Sequence, residues 1–542
     1  MHPRVATRGM VCAADQLASA AGVSLLERGG NAADAIVGAA SVMAVVGPHL
    51  CGLGGDVLAM VKAPGRPPVA LMAVGRAGAG ADPGRLRSDG HLDMPLRGDI
   101  RSVPVPGAVD GWLALHERFG RLPWSAVLEP ARSLAEEGFA ASTILAFASH
   151  LVADVPGAEQ LCPDGPLEPR QRVRLPGIAS VLGALASDGR EGFYGGSFGH
   201  ALLEVGGGEY VPDDLRRPLA EWVEPLTLTA FDHDLWTVPP PSQGYVTLSA
   251  AWIADHVGVP TDPADPLWAH LVTEAGRAAG FDRPEVLFDG ADGAALLSPQ
   301  RLGPRAQMID PVRAASFGGI GRPVSGGGGT GGGEMSLSAD GDTTHLCAAD
   351  ADGLGISLTQ SNALDFGAHI VAGPTGVFLH NRGVGFSLEP GHPAEYGPGR
   401  RPTHTLSPAL VTRRDGSLAQ VIGTMGGDVQ PQILLQLLVR LLHAGEDPAT
   451  AIAAARVVPE APGAPPFRLW QAPAQSLVME CDAPAAWHDG LASRGHGVRL
   501  IGALNPVDVG CSQIISVHVE PDHVVLSGAS DPRSSEGAAL GH

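Results

Sequence analysis

Apolar and β-branched residues form two strand-like runs in the second half of the chain, at Thr344 to Ala349 and Gly355 to Ser361. Between them, Asp350-Ala351-Asp352-Gly353 supplies residues that tolerate the left-handed backbone of a tight turn. The pattern predicts a β-hairpin centred near Asp352. Such a hairpin places Ser361 or Asn362 opposite Thr343, within one residue of register.

Helical patterning is strongest near the start of the chain. Ala14 to Arg28 predicts an amphipathic helix that Gly29-Gly30 ends, and Asn31 is expected to cap a second helix that runs through Val45. Two further helices, each with prolines at its N-terminal end, are predicted at Trp112 to Phe119 and Trp124 to Glu137, with the prolines Pro106, Pro123 and Pro130. We expect these helices to be scaffold.

A glycine run precedes the predicted hairpin. Ser325 to Gly333 cannot bury a face, so we expect a flexible tether that leads toward Thr343. A threonine hydroxyl needs a base to take its proton, and a free α-amino group on the same residue can be that base because its pKa lies near neutrality. Cleavage before Thr343 would create nucleophile and base together. The local pattern also allows a simpler interpretation, in which Thr343-Thr344 only opens an edge strand.

Composition narrows the function classes. The 542 residues, 44% of them apolar, can bury a large core, and length alone suggests two or more domains. A net charge of −21 argues against general affinity for nucleic acid or an anionic membrane. Lys62 is the only lysine, which excludes a Walker-type phosphate loop. We therefore expect a soluble enzyme that acts on small molecules.

Targeting and metal signals are weak. Met1 to Arg8 lacks the apolar core of a secretion signal and no run reaches membrane-spanning length, so the prediction is a cytoplasmic protein. The six cysteines show no CxxC spacing and the 20 histidines include no His-Glu-x-x-His pattern. We expect no metal and no cofactor.

Eight segments occur in an order that resembles the γ-glutamyltransferase (γ-glutamyltranspeptidase) family of N-terminal-nucleophile hydrolases: Gly9 to Val11, Glu27 to Ala35, Gly52 to Gly55, Val105 to Val109, Pro239 to Ser242, Thr343 to His345, Gly426-Gly427, and Gly528 to Arg533. The resemblance implies an α/β (α+β) fold, a four-layer αββα sandwich. It also implies one precursor that cuts itself into a large subunit, 1–342, and a small subunit, 343–542. Both subunits would build one body, and whether two such bodies pair into a dimer stays open.

The resemblance also implies roles for single residues. Thr343 would be the nucleophile, and the backbone N–H groups of Gly426 and Gly427 would hold the oxyanion. Ser361 stands near a family hydroxyl that assists the nucleophile, and Asn362 is a candidate partner for the substrate or the new terminus. Arg76 stands where the family places an arginine for a substrate carboxylate, a group that a guanidinium can bind bidentately.

Two departures from the family pattern concern the substrate. Arg382 and Gly385 replace the Gln and Asp that would bind the α-amino group of a γ-glutamyl donor, and a cation beside an ammonium is unfavourable. His404-Thr405 replaces a pair of serines, so one hydroxyl is kept and an imidazole is added. These changes resemble the branch that contains glutaryl-cephalosporin acylases and oxamate amidohydrolases.

The expected function is hydrolysis of an amide-type bond of a small carboxylate-bearing acyl group, such as glutaryl or oxalyl, through an acyl-enzyme. Three alternatives stay open. The chain could be a true γ-glutamyl transferase or hydrolase that uses glutathione-like donors. It could be an oxalyl-releasing enzyme that cleaves a carbon–carbon bond or an oxamate-type amide. It could also be an inactive homologue that only binds.

Overall fold

The computed structural model describes residues 2–315, 317, 342–472 and 475–542, so the predicted glycine tether lies outside the described residues. The described strands are β1 Arg4–Ala6, β2 Gly9–Ala13, β3 Asp56–Lys62, β4 Val69–Ala73, β5 Phe139–Ala140, β6 Arg172–Val173, β7 Ala220–Val223, β8 Leu226–Ala230, β9 His233–Thr237, β10 Asp342–Asp350, β11 Gly355–Ala363, β12 Ala409–Arg413, β13 Leu418–Thr424, β14 Val457–Glu460, β15 Ser476–Glu480, β16 Val498–Ile501, β17 Ser512–Val519, β18 Val524–Ser530 and β19 Ala538–Gly541.

Helices surround these strands on both sides. They are α1 Gln16–Glu27, α2 Ala32–Val46, α3 Pro83–Ser88, α4 Ala108–Phe119, α5 Trp124–Glu137, α6 Thr143–Ser149, α7 Pro176–Tyr194, α8 Ser197–Gly206, α9 Pro212–Arg216, α10 Gly244–Val257, α11 Pro266–Gly280, α12 Arg283–Val286, α13 Gly293–Leu296, α14 Pro299–Gln307, α15 Gln430–Leu438, α16 Pro448–Ala453, α17 Ala485–Ser493 and α18 Pro506–Val509.

Two seven-stranded antiparallel sheets form the centre of the molecule. One has the strand order β1-β18-β17-β13-β12-β9-β8 and the other β19-β2-β10-β11-β3-β4-β7. Apolar residues of β2, β3, β10 and β11 pack on α1, α2, α4 and α5, whereas those of β12, β13 and β17 pack on α10, α11 and α15. A third apolar cluster, which includes Cys347 and Val421, lies between the sheets. The four layers are therefore helix, sheet, sheet and helix, and the predicted αββα sandwich is confirmed.

The sequence on both sides of Thr343 contributes to each sheet. Strands β1, β8 and β9 of the first sheet precede that residue, and β12, β13, β17 and β18 follow it. In the second sheet, β10 lies between β2, from the first part of the chain, and its own hairpin partner β11, which pairs in turn with β3. The hydrogen-bonded sheets thus join the two parts of the chain into one body, contrary to what length alone suggested.

Local sequence signals explain the first helices well. The Asn31 side chain accepts hydrogen bonds from the backbone N–H groups of Ala33 and Asp34, and the Asp34 carboxylate accepts from the Asn31 N–H, which closes the predicted N-cap. Gly29 ends the preceding helix with φ of 90°. One detail was wrong: Pro130 lies inside α5 rather than at a helix start.

Within the described ranges, no helix is both long enough and apolar enough to cross a membrane.

Candidate active site

Thr343 lies at the start of β10, buried between the sheets. The β10–β11 ladder is irregular here, because Asp342 pairs with Ala363 whereas Thr344 already pairs with Gln360. This irregularity brings the Thr343 Oγ1 to 3.0 Å from the Oγ of Ser361. The hairpin prediction, with Ser361 opposite Thr343, is confirmed.

A guanidinium connects this hydroxyl pair to a third hydroxyl. Arg382, at the start of a short 3₁₀ turn, donates from Nη2 to the Ser361 Oγ at 3.1 Å and from Nη1 to the Thr405 Oγ1 at 3.1 Å. Burial lowers the pKa of Arg382 to about 10, against the opposing effect of nearby carboxylates, so the group stays a cation at neutral pH. Thr343, Ser361, Arg382 and Thr405 therefore form one buried hydrogen-bonded chain, which we call the hydroxyl–guanidinium chain.

A buried carboxylate supports this chain from the neighbouring strand. Asp56 pairs with Ser361 in the β3–β11 ladder, and its Oδ1 accepts from the N–H groups of Gly75 and Gly107 at 2.8 and 3.2 Å. Its Oδ2 lies 3.2 Å from the Nδ1 of His380. Although burial alone would raise the pKa of Asp56, its interactions with His380, His404 and Arg382 outweigh burial and lower that pKa. The carboxylate is thus charged and balances the cation of the chain.

His404 lies next to Thr405 and close to Asp56. The imidazole is fully buried, its Nε2 lies 3.6 Å from the Asp56 Oδ2, and neither ring nitrogen has a hydrogen-bond partner among the described residues. Burial, and then the adjacent Arg382, lower the pKa of His404 well below 6.5. A neutral imidazole with free hydrogen-bonding atoms therefore adjoins the hydroxyl–guanidinium chain.

The predicted glycine turn follows β13. Gly426 and Gly427 have φ of 130° and 55°, conformations that favour glycine. Neither backbone N–H donates to a carbonyl within the described part of the chain. The Gln243 Nε2 connects the turn to the hydroxyl–guanidinium chain, because it donates to the carbonyls of Thr405 and Gly427 at 3.0 and 2.9 Å.

A cavity of about 500 Å³ opens beside Arg382 and Thr405, and we call it the arginine cavity. Its wall carries further positive side chains, Arg283 and Arg468, and the Phe467 ring, whose centroid lies 5.5 Å from the Arg382 guanidinium carbon. Carboxylates also line it, at Asp93, Glu285 and Glu389. Arg382 and Thr405 are the residues that join this cavity to the buried hydroxyls.

Two predicted substrate contacts lie elsewhere. The Arg76 guanidinium donates to the carbonyl of Gly399 and the carboxylate of Glu221, each at 3.0 Å. The Asn362 side chain lies on the opposite face of β11 from Ser361 and donates to the Pro48 carbonyl at 3.1 Å. The structure therefore does not bring Arg76 or the Asn362 side chain to the hydroxyl–guanidinium chain.

No group of three or more potential metal ligands occurs in the described ranges. The site consists of hydroxyls, Arg382, the Asp56 carboxylate, two imidazoles and backbone amides.

Comparisons with known proteins identify the family of the chain. The family model described as Gamma-glutamyltranspeptidase matches residues 18–541. The chain is 33% identical to the oxamate amidohydrolase proenzyme of Klebsiella pneumoniae subsp. pneumoniae, with 100% of both chains covered. It is 31% identical to a glutathione hydrolase-like proenzyme of Bacillus subtilis, with 99% of both covered. Among solved structures, cephalosporin acylase from Bacillus halodurans matches with a TM-score of 0.86 at 28% identity, over 100% of this chain and 97% of that one.

The fold and site thus define an N-terminal-nucleophile hydrolase. The chain belongs to the gamma-glutamyltranspeptidase family, as its motifs predicted. Like the relatives above, it is an enzyme.

Proposed function

We propose that the chain is a precursor that cuts itself between Asp342 and Thr343 and then hydrolyses amides of a small, carboxylate-bearing acyl group. The observation that carries this proposal is the hydroxyl–guanidinium chain, because it joins a buried threonine hydroxyl to a cation two hydrogen bonds away. In maturation, the Thr343 hydroxyl attacks the Asp342 carbonyl, the peptide bond becomes an ester, and water releases the two subunits.

Both subunits, 1–342 and 343–542, remain together after this cut. Strand β10 keeps its ladder with β2 and strand β11 keeps its ladder with β3, and the pairs β1–β18 and β9–β12 also join one subunit to the other. These backbone hydrogen bonds do not depend on the cleaved peptide bond. The active enzyme is therefore a heterodimer of the two products.

In turnover, the new α-amino group of Thr343 takes the hydroxyl proton and the hydroxyl attacks the substrate carbonyl. The N–H groups of Gly426 and Gly427 stabilise the oxyanion, and Ser361 orients the nucleophilic oxygen at 3.0 Å. The amine leaves with the proton, and water then hydrolyses the ester to regenerate Thr343. These steps require neither a metal nor a cofactor.

The acyl group is positioned by Arg382, Thr405 and His404. Arg382 offers two N–H donors to a carboxylate, and the neutral His404 offers a further hydrogen-bonding atom without adding charge. Arg382 lies close to the nucleophile, because it bonds Ser361. A short acyl group such as oxalyl therefore brings its carboxylate within reach of the guanidinium. A longer group such as glutaryl extends toward Arg283 and Arg468 in the arginine cavity.

A short acyl group is the variant that we favour. Besides the position of Arg382, the relative that is 33% identical over its full length is named an oxamate amidohydrolase. A γ-glutamyl donor fits less well, since its ammonium group would lie beside Arg382. Arg76 is not part of the proposed acyl site, because Glu221 already occupies its guanidinium.

The test compares three substrates: oxamate, glutaryl-4-nitroanilide and γ-glutamyl-4-nitroanilide. We expect the first two to be hydrolysed faster than the third. Arg382→Gln should lower kcat/KM for the acidic amides about 100-fold or more, because a desolvated charge pair is lost. Arg440→Gln is the matched control, since Arg440 is also buried but pairs with Glu446 away from the site.

Other outcomes identify the alternatives. Preferred turnover of γ-glutamyl-4-nitroanilide would make the chain a γ-glutamyl hydrolase or transferase. No turnover of any amide by a cut protein would favour a carbon–carbon bond substrate, and no turnover by an uncut protein would favour an inactive binding homologue.

A further inference from the structure

A second cavity, of about 520 Å³, lies near the glycine turn. Its walls are mainly apolar and come from both proposed subunits: Met43, Val46, Leu50, Ile144 and Phe147 from the large subunit, and Met425 and Val507 from the small one. We call it the apolar cavity. Its volume falls within the range typical of small-molecule sites.

Strand order places the two cavities on opposite sides of Thr343. The apolar cavity is lined by residues that follow β2, precede β17 and follow β18, namely Ala14, Cys511 and Arg533. In the two sheets these strands lie on one side of β10 and β13. The loop that carries Arg382 connects β11 to β12, which lie on the other side. The two cavities therefore lie on opposite sides of β10, which carries Thr343, and of β13, which leads to Gly426.

Two residues of the apolar cavity adjoin residues of the proposed site. Met425 lines the cavity and immediately precedes Gly426, one of the proposed oxyanion donors. Leu50 lines it too, and its carbonyl accepts from the backbone N–H of Asn362, next to Ser361. These two connections place the cavity beside the segments that carry Gly426 and Ser361.

Charge disfavours an acidic group in the apolar cavity. The cavity contains the carboxylates of Asp15 and Glu536, both half-buried. Its arginine, Arg533, is already paired with Glu480 and Asp531. The part of a substrate that enters here is therefore expected to be apolar rather than acidic.

We propose that the apolar cavity holds the amine that the enzyme releases, and that this amine is apolar, with an aromatic or alkyl body. The inference rests on the proposed function. In the step concerned, the bond between the Thr343 oxygen and the acyl carbon forms and the carbon–nitrogen bond breaks. The hydroxyl proton, carried by the Thr343 α-amine, passes to the leaving nitrogen, and the neutral amine departs through this cavity.

The experiment compares two substrates that share one acyl group, glutaryl-4-nitroanilide and the primary monoamide of glutaric acid. Phe147, 52% exposed at the rim, is shortened in Phe147→Ala, and the cavity is filled in Ile144→Trp. Leu500→Ala is the control, because Leu500 is also 52% exposed but lies outside the cavity.

The expected result is a change in selectivity. Phe147→Ala lowers kcat/KM for the anilide about three- to ten-fold, the loss expected for one aromatic contact, and leaves the primary amide within two-fold. Ile144→Trp lowers kcat/KM for the anilide further, and Leu500→Ala changes kcat/KM for neither substrate. Equal effects on both substrates, or none on either, would overturn the inference while leaving the proposed function intact.

A binding measurement tests the apolar cavity even if the proposed hydrolysis does not occur. In equilibrium dialysis, 4-nitroaniline should bind the wild-type protein at one site and lose that site in Ile144→Trp. If neither amide is hydrolysed, the proposed function fails, and this measurement alone decides whether the cavity takes an aromatic amine. Absence of binding to the wild type would overturn the inference.

Discussion

Ser361 provides the sharpest test of the hydroxyl–guanidinium chain. Its Oγ lies 3.0 Å from the Thr343 Oγ1, accepts from the Arg382 Nη2 at 3.1 Å and accepts from the Ala363 N–H at 2.8 Å. Ser361→Ala removes this oxygen and adds no bulk. The nucleophile then loses its nearest hydroxyl partner, and one Arg382 donor loses its acceptor.

The expected loss follows from these contacts. A hydrogen bond to a charged group contributes about 1.5–3 kcal/mol and a neutral one about 1 kcal/mol. If the contacts with Thr343 and Arg382 act in the transition state, the activation free energy should rise by about 2.5–4 kcal/mol, which lowers kcat/KM about 70- to 900-fold. Self-cleavage of the precursor should slow by a similar factor, because it uses the same hydroxyl.

Ser357→Ala is the matched control. Ser357 is a buried serine on the same face of β11, and it bonds His345, Ile422 and Ala409 at 2.9 to 3.2 Å without contacting Thr343. Both variants should lose comparable melting temperature, whereas only Ser361→Ala should lose activity. Ser361→Thr, which keeps a hydroxyl, should recover part of it.

The assay combines kcat/KM for an acidic amide, the rate of precursor cleavage on denaturing gels, and the melting temperature of each variant. Equal loss of activity in Ser357→Ala and Ser361→Ala would refute the reasoning, because the effect would then come from destabilised packing. Full activity of Ser361→Ala would refute it as well.

Three further predictions concern the surroundings of the nucleophile. Gly426→Ala should lower kcat about 100-fold or more by displacing an oxyanion donor. Gly416 is the control, because it also has a positive φ, of 83°, with open space around it, so Gly416→Ala should be strained but active. Equal kcat in both variants would contradict the oxyanion role. Asp56→Asn should lower kcat/KM about ten-fold or more, because the buried Arg382 loses its counter-charge. A kcat/KM equal to that of the wild type would show that Asp56 does not support Arg382 in this way. Burial lowers the pKa of His345 to about 3, so between pH 6.5 and about 3 the unfolded chain binds one more proton than the folded protein. The free energy of unfolding therefore falls by up to about 1.4 kcal/mol for each unit by which the pH is lowered in this range. The melting temperature of His345→Gln should depend less steeply on pH between pH 4 and 7 than that of the wild type, and an unchanged dependence would contradict the prediction.

Local signals in the sequence were sufficient for the elements next to the nucleophile. The turn residues around Asp352 and the strand-like runs beside them predicted the hairpin that brings Ser361 to Thr343. The glycine pair and the Asn31 cap predicted where two helices meet. Each of these features depends on residues within a few positions of one another, so a single sequence contains the information.

Strand alternation bears on the expectation for Asn362, which stays a prediction. Neighbouring residues of a strand face opposite sides, so Ser361 and Asn362 cannot both point at the same ligand. Ser357 and Ser361 face the other sheet, whereas Gln360 bonds the Ala40 carbonyl of the helical layer, and Asn362 shares that side. The Asn362 side chain therefore belongs to the scaffold contacts of β11.

The remaining features depend on contacts distant in sequence. Asp56 directly follows a recognised glycine segment, but only the β3–β11 ladder reveals that it pairs with Ser361. His380 joins that carboxylate from a loop more than 300 residues later. Arg76 is the converse case, since its partner Glu221 comes from β7, and no local pattern around Arg76 predicts that pairing.

The most direct test of the account is the intact mass and N-terminal sequence of the purified wild type, Thr343→Ala and Thr344→Ala. Thr344 is the matched control, because it is equally buried and its hydroxyl has no hydrogen-bond partner among the described residues. The account predicts two chains in the wild type and in Thr344→Ala, the smaller beginning at Thr343, and one uncut chain in Thr343→Ala. A folded wild type that stays uncut, or a Thr343→Ala protein that is still cut before residue 343, would contradict it.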